Sequence, residues 1–265
     1  MIGVTIGVGS YYSALAEVAA GCLKKQTDLD SVILSDRHFL ESGLHHPAAL
    51  KFRVFDLLSA CNILYYDADW FCVKKWRPQA FAQHRRVVAC HDFVLATDWP
   101  AQTFDFEAEA AECLASGRVF VGEPKGPLRQ DYIADVKRSM VLGLPPRRWI
   151  NTGMFIVNRA HHWHWLDRGE YLYRQPGGHH DKYFEQPAML QALEHLGISV
   201  DYLPRTHNVL VTRLSVWPDS VVGLHIKMSK HQEFADLIRA LHEARLTPDT
   251  IEEMFLGGMG ERISI

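Results

Sequence analysis

From residue 2 onward, short apolar β-rich runs alternate with stretches of helical periodicity, and this alternation leaves the chain few architectures to choose from. Ile2 to Val8 is β-rich, closes on Gly9-Ser10 and leads into a helical pattern from Ser13 to Lys25. Val32 to Leu34 predicts a second buried strand that stops at Ser35-Asp36. Pro47 opens another helix, whose apolar positions Leu50, Val54, Leu57 and Leu58 recur at helical spacing. Asn62 to Tyr66 is an apolar strand that ends on Asp67-Ala68-Asp69, and Arg86 to Cys90 is a further strand candidate. Strands alternating with helices favour an α/β fold, a mainly parallel sheet flanked by helices.

Residues 98 to 148 interrupt this rhythm. Helical patches at Phe106 to Ala115 and Leu128 to Leu142 are joined by Gly-Pro-rich turns, which predicts an excursion off the sheet. Trp149 to Val157 returns as a strand, followed by a helix from about Ala160 to Arg174. Gln175-Pro176-Gly177-Gly178 breaks the chain before a helix that includes Gln186 to Leu196. Val200 to Leu203 and Val221 to Ile226 are late strands, and Gln232 to Phe255 reads as one amphipathic helical tail. There is no internal repeat, and a length of 265 residues suits a single domain spanning residues 1 to 265.

Composition removes several classes of function. A net charge of -3 and a pI near 6.6 give no electrostatic footprint for nucleic acid. The basic clusters Lys74-Lys75-x-Arg77 and Arg147-Arg148 are short enough to read as solvated turns. The cysteines form no C-x-x-C pair, and the first strand begins at Ile2 with no signal segment ahead of it. No apolar run approaches the ~20 residues of a membrane span. The expectation is a cytoplasmic protein with no transmembrane segment, compatible with peripheral membrane contact. There is no Gly-x-x-x-x-Gly-Lys-Ser/Thr loop, and Gly7-x-Gly9 is only a fragment of Gly-x-Gly-x-x-Gly, so kinase and dehydrogenase readings lose their main support. No Gly-x-Ser-x-Gly elbow is present for a serine hydrolase. His45-His46, His161-His162-x-His164 and His179-His180 have neither cysteine partners nor an H-E-x-x-H arrangement, and read as structural.

The segment Asn62-Ile63-Leu64-Tyr65-Tyr66-Asp67-Ala68-Asp69 carries the sharpest chemical signal. Ligands of open α/β sheets bind beyond the carboxyl ends of strands. Two carboxylates one residue apart at that edge can hold a hard cation against a diphosphate, which suits Mn²⁺ or Mg²⁺. An isolated Asp-x-Asp is equally at home in a solvated turn, so its position directly after an apolar strand matters.

Together with Lys51 and Asp56 upstream, this segment resembles the donor-binding region of GT-A nucleotide-diphospho-sugar transferases, and most of all the retaining family-8 group of glycogenin and the bacterial lipooligosaccharide galactosyltransferases. Further matches follow in the family's order across residues 2 to 231. Val4-Thr5-Ile6-Gly7 and Tyr11-Tyr12 resemble the first strand and nucleoside-binding loop; Ile150-Asn151-Thr152-Gly153 resembles the Asn-(Ser/Thr)-Gly strand facing the sugar. Glu185-Gln186 stands where the family usually has Asp-Gln, with Asp181 as a rival acid. His225 resembles the third metal ligand, and Lys230, or Lys227, the diphosphate-binding lysine, although the usual glycine between is missing.

The resemblance implies a GT-A fold and a metal-dependent hexosyltransferase using a nucleotide-sugar, expected to be a UDP-sugar, with retention. It implies metal ligands Asp67, Asp69 and His225 for Mn²⁺ or Mg²⁺. Donor contacts would come from Thr5, Gly7, Tyr11, Tyr12, Lys51, Ala68, Lys227 and Lys230, and groups at the reacting centre from Asn151, Glu185, Gln186 and Lys230. Residues 98 to 148 would be an acceptor-side insertion or cover, and Trp163 with its neighbouring histidines is expected near the acceptor, which could be a glycan, a lipid-linked saccharide, a protein or another small acceptor. A nucleotide-sugar hydrolase, a nucleotidyltransferase and a non-catalytic nucleotide-sugar-binding module stay open as alternatives. Against a nucleotidyltransferase, Val8-Gly9-Ser10-Tyr11 contains no Lys or Arg.

Overall fold

A computed structural model describes residues 1–82, 84–91, 150–176, 178, 184–211, 221–226 and 234–256. Its centre is a six-stranded sheet in the order β2-β1-β3-β6-β5-β7. The strands are β1 (Ile2–Ile6), β2 (Ser31–Leu34), β3 (Asn62–Tyr66), β5 (Val87–His91), β6 (Ile150–Asn158) and β7 (Val200–Tyr202). Five run in one direction. β6 alone is reversed, antiparallel to both β3 and β5. The α/β class and mainly parallel sheet expected from the sequence are therefore observed.

Alternation along each strand divides the core between the two faces of this sheet. Val4, Ile63, Tyr65, Phe155 and Val157 pack into one apolar cluster, with Leu50, Phe52 and Phe55 from residues 47–57 and with Trp165 and Met189. Leu64, Tyr66, Met154 and Ile156 face the other cluster, against Leu15, Ala16, Ala19 and Leu23 of α1 (Ser10–Thr27). Each large side chain buried this way contributes about 1.5–3 kcal/mol. The first face is covered by α4 (Arg159–Tyr173) and α5 (Gln186–Leu196), which pack on each other. Pro187 in the first turn and left-handed Gly197 just past the end delimit α5.

Several details depart from the sequence reading. The segment from Pro47 is not one α-helix but a 3₁₀ segment, Pro47–Arg53, continuing into the single turn α3 (Val54–Leu57). His46 caps it, its Nδ1 accepting the Ala48 amide at 3.2 Å. Tyr11 and Tyr12 lie in the first turn of α1 rather than in the loop before it. A short helix α2 (Asp36–Ser42), held by a capping box at Ser35, was not foreseen. The C-terminal tail is two helices, α6 (Ala235–His242) and α7 (Pro248–Leu256), because the chain turns at Glu243 to Thr247. The 98–148 excursion lies outside the described residues. Among those described, no helix is long and apolar enough to cross a membrane.

A second sheet, unanticipated from the sequence, sits beside the first. It joins β4 (Trp70–Cys72), β9 (Gly223–Ile226) and β8 (Val209–Val211) in the order β4-β9-β8. The chain crosses from one sheet to the other in the few residues between Tyr66 and Trp70. The crossing is a tight turn in which the Trp70 amide bonds the Asp67 carbonyl at 3.0 Å. Gly223 is required here: an added Cβ would lie 2.5 Å from the Trp70 ring and 2.3 Å from the His207 carbonyl.

His162 lies at the start of α4, at the end of the sheet where Asn158 pairs with Asn62, opposite the end where Tyr66 pairs with Met154. Trp163 and its histidine neighbours are therefore remote from Asp67, contrary to the expectation that they approach the acceptor. The Asn158 backbone amide donates to His162 Nδ1 at 2.9 Å. Burial, aided by nearby His161 and His84, lowers the His162 pKa to about 4 from 6.5. The folded ring thus stays neutral where the unfolded chain takes up a proton. Stability is complete above pH 6.5 and falls as pH drops through the window from 6.5 to about 4. Urea unfolding across that range is expected to lose up to about 1.4 kcal/mol per pH unit from this group, and His162→Gln is expected to flatten the slope by that amount.

Candidate functional site

The site forms at the carboxyl ends of β1 and β3, where ligands of open α/β sheets bind. The Asp67 amide donates to the Gly153 carbonyl at 2.7 Å, and the Ile226 amide to the Asp69 carbonyl at 2.8 Å. The Asp-x-Asp turn is thus pinned to β6 of the large sheet and to β9 of the small one. Because β6 runs backwards, its first residues, Asn151 to Gly153, lie beside the end of β3. Pairing of Trp70 with His225 across β4 and β9 then brings the imidazole to the same place.

His225 Nε2 is 3.0 Å from Asp69 Oδ1 and 3.8 Å from Asp67 Oδ2. One ligand atom from each of Asp67, Asp69 and His225 lies within 4.8 Å of the others, the only such cluster among the described residues. Three observations test whether a cation fits. A Cβ on Gly153 would stand 2.5 Å from His225 Cε1 and 2.8 Å from Asp67 Oδ2, so only glycine leaves the space between these ligands open. The Lys51 ammonium is shared by Asp67 Oδ1 and Glu185 Oε1, while the Asp69 carboxylate and Asp67 Oδ2 turn to the His225 imidazole, so oxygen and nitrogen donors converge on the side away from the lysine. The donors are carboxylate oxygens and one imidazole nitrogen, groups that bind divalent cations. The residues therefore fit a divalent cation.

Lys51 is 3% exposed, and its ammonium lies 2.6 Å from Glu185 Oε1 and 3.0 Å from Asp67 Oδ1. The same nitrogen is 5.0 Å from the centre of the Tyr65 ring. Burial works against the charge, but the two carboxylates outweigh it and push the lysine pKa up to about 12. The 3₁₀ segment that carries Lys51 is anchored to α4, since Arg53 pairs with Glu170, which Arg174 also holds.

Glu185, the residue before α5, turns its side chain towards Lys51 and accepts a hydrogen bond from Thr152 at 3.0 Å. The Thr152 hydroxyl also lies 3.3 Å from Gln186 Oε1. Asn151 folds back on its own strand, its Oδ1 accepting the Gly153 amide at 2.8 Å. Tyr11 is close enough to Asp69 to feel its charge; burial first, then Tyr12 and Asp69, push its pKa up to about 12. Tyr12 meets Tyr11 edge-on at 5.0 Å and is 46% exposed.

Asp67, Asp69, His225, Lys51, Asn151, Glu185 and Gln186 are thus brought together at one edge of the sheet. Thr5 is fully buried in β1, with no partner for its hydroxyl among the described residues. Gly7 has a packing reason: a Cβ there would lie 3.0 Å from Ser13 Cα. Ala68 is buried in the core, leaving only its backbone to meet a ligand. Lys227, Lys230 and Asp181 lie outside the described residues. Sequence reasoning missed Tyr65 and Thr152. Tyr65 was legible in principle, because a strand residue two before Asp67 projects to the same side.

No protein-family model matches the chain, and comparison with curated sequences gives no significant match. Solved structures do resemble it. The galactosyltransferase LgtC, in complex with donor and acceptor sugar analogues, aligns with a TM-score of 0.54 at 12% identity, covering 92% of this chain and 95% of the other. An active-site mutant of LgtC aligns at 0.53 and 12% identity, over 92% and 96%. The chain accordingly has the GT-A fold of glycosyltransferases such as LgtC, as the sequence resemblance implied.

Removing the Lys51 charge would leave Glu185 buried without a counter-charge. Lys51→Met is expected to lower the unfolding free energy by about 3–5 kcal/mol in urea titrations. Adding Glu185→Gln to that variant is expected to restore most of the loss.

Proposed function

We propose that the protein is a metal-dependent glycosyltransferase that moves a hexose from a nucleotide-sugar, a UDP-sugar in this reading, to an acceptor hydroxyl with retention of configuration. The observation that carries this is the convergence of Asp67, Asp69 and His225 with the Lys51–Glu185 pair at the carboxyl edge of a GT-A sheet. Asp67, Asp69 and His225 would hold Mn²⁺ or Mg²⁺, which when bound supplies charge neutralisation at the donor diphosphate. Lys230 or Lys227 adds a cationic contact to that diphosphate, and Tyr11 and Tyr12 offer rings to the base.

Asn151, Glu185 and Gln186 orient the sugar, with the Thr152 hydroxyl steadying the last two. Glu185 is committed to Lys51 and Thr152, which disfavours it as a covalent nucleophile. In this reading the acceptor oxygen bonds the anomeric carbon on the face from which the phosphate oxygen departs, with Gln186 the alternative group on the opposite face. The hydroxyl proton passes to that departing oxygen. Holding the reactants in one geometry and countering charge on the leaving group supply the acceleration.

The test is thermal unfolding against a panel of nucleotide sugars, with and without Mn²⁺, for wild type and Asp69→Asn. A ligand at 100 times its Kd stabilises by ~2.7 kcal/mol, roughly 5–10 °C for a domain of this size. The expected outcome is a Mn²⁺-dependent shift with one UDP-sugar, lost in Asp69→Asn. Absence of a shift with any nucleotide sugar refutes the donor site. Full release of free sugar without an acceptor would instead make the protein a hydrolase.

A further inference from the structure

Asp67 presents its two oxygens to different surroundings. Oδ1 receives the Tyr65 hydroxyl at 2.8 Å and the Lys51 ammonium at 3.0 Å. Oδ2 faces the opposite way, 3.8 Å from His225 Nε2, into the space kept open by Gly153. Rotation about the last side-chain bond of an aspartate is soft, so something must hold this division. Tyr65 is placed to do so. Its ring is 1% exposed, stacked on Phe155 at 4.9 Å and 20°, with the Lys51 ammonium 5.0 Å from its centre. The hydroxyl cannot swing away without unpacking the core.

We propose that Tyr65 is a positioning residue that fixes Asp67 so that a cation meets Oδ2 alone, and that this selects a small octahedral ion over a larger one. The inference rests on the metal site of the proposed function. A carboxylate with one oxygen already bound to two donors cannot chelate through both. Ca²⁺ takes 6–8 oxygen ligands and readily uses bidentate carboxylates, whereas Mg²⁺ requires near-octahedral geometry and tolerates single-oxygen contacts. Tyr65 thereby acts through Asp67 and touches no reactant.

The neighbouring strand residue supplies a matched control. Tyr66 is equally buried, but its hydroxyl points to the other face of the sheet and donates to Ser31 Oγ at 2.7 Å. Mn²⁺ binding to the full chain is followed by the electron paramagnetic resonance signal of the free ion, with Ca²⁺ as competitor. The proteins compared are wild type, Tyr65→Phe, Tyr66→Phe and Asp69→Asn. Losing an outer hydrogen bond to a metal ligand commonly weakens binding by about 10-fold or more. Tyr65→Phe is therefore expected to raise the Mn²⁺ Kd by about 10-fold while Ca²⁺ changes less, so that the preference for Mn²⁺ narrows. Tyr66→Phe is expected to bind both ions as wild type does. An unchanged Mn²⁺/Ca²⁺ preference in Tyr65→Phe, or an equal loss in Tyr66→Phe, overturns the role of Tyr65. Wild type binding Mn²⁺ no better than Asp69→Asn overturns the metal site itself, and the inference with it.

Discussion

A lysine ammonium almost fully withdrawn from water is tolerable only if its charge is answered at close range, and the position of Lys51 dictates much of what surrounds it. Taking an ion out of water costs several kcal/mol, which a single imperfect pairing seldom offsets. Here Glu185 and Asp67 both bond the same nitrogen, and the Tyr65 ring adds its face. These contacts join the 3₁₀ segment, the end of β3 and the start of α5 at one point. A shift in any of the three would leave a buried charge unanswered. The pair is thus as much a device for fixing geometry as a source of stability.

The turn from Asp67 to Asp69 is the second constraint. Two sheets meet there, and each contributes a strand that pins it, β6 through the Gly153 carbonyl and β9 through the Ile226 amide. The two carboxylates are consequently aimed by backbone pairing rather than by loop packing. His225 reaches them only because β4 continues straight out of the turn and pairs with β9. Reversal of β6 completes the arrangement by delivering Asn151, Thr152 and Gly153 to the same edge.

The large sheet was legible because its strands are apolar runs bounded by turn residues, and the Asp-x-Asp was legible because it ends one of them. The Pro47 segment misled because its apolar spacing fits an α-helix, while its tight first turns form around the His46 cap. The small sheet escaped because Trp70–Cys72 and Val209–Val211 are three residues each, too short for any period to emerge. The C-terminal break escaped because α6 and α7 share an amphipathic pattern across Glu243 to Thr247. At the site, motif-bearing residues were found, but Tyr65 and Thr152 were passed over as strand residues. Their importance comes from partners distant in sequence: Thr152 is 33 positions from Glu185, and nothing in local pattern announces that contact.

Lys51 and Glu185 are 134 positions apart, and His225 comes later still. Such distant pairings must overcome the entropy of closing long loops before any contact rewards them, which slows their formation. Since β9 pairs with β4 only after the intervening chain exists, a polypeptide emerging from the ribosome carries the two aspartates long before the histidine that completes their cluster. Until then a growing chain holds the two aspartates with Lys51, Tyr65 and Glu185 around them, but lacks the imidazole. The Asp67–Asp69–His225 cluster is completed late in synthesis, together with the small sheet.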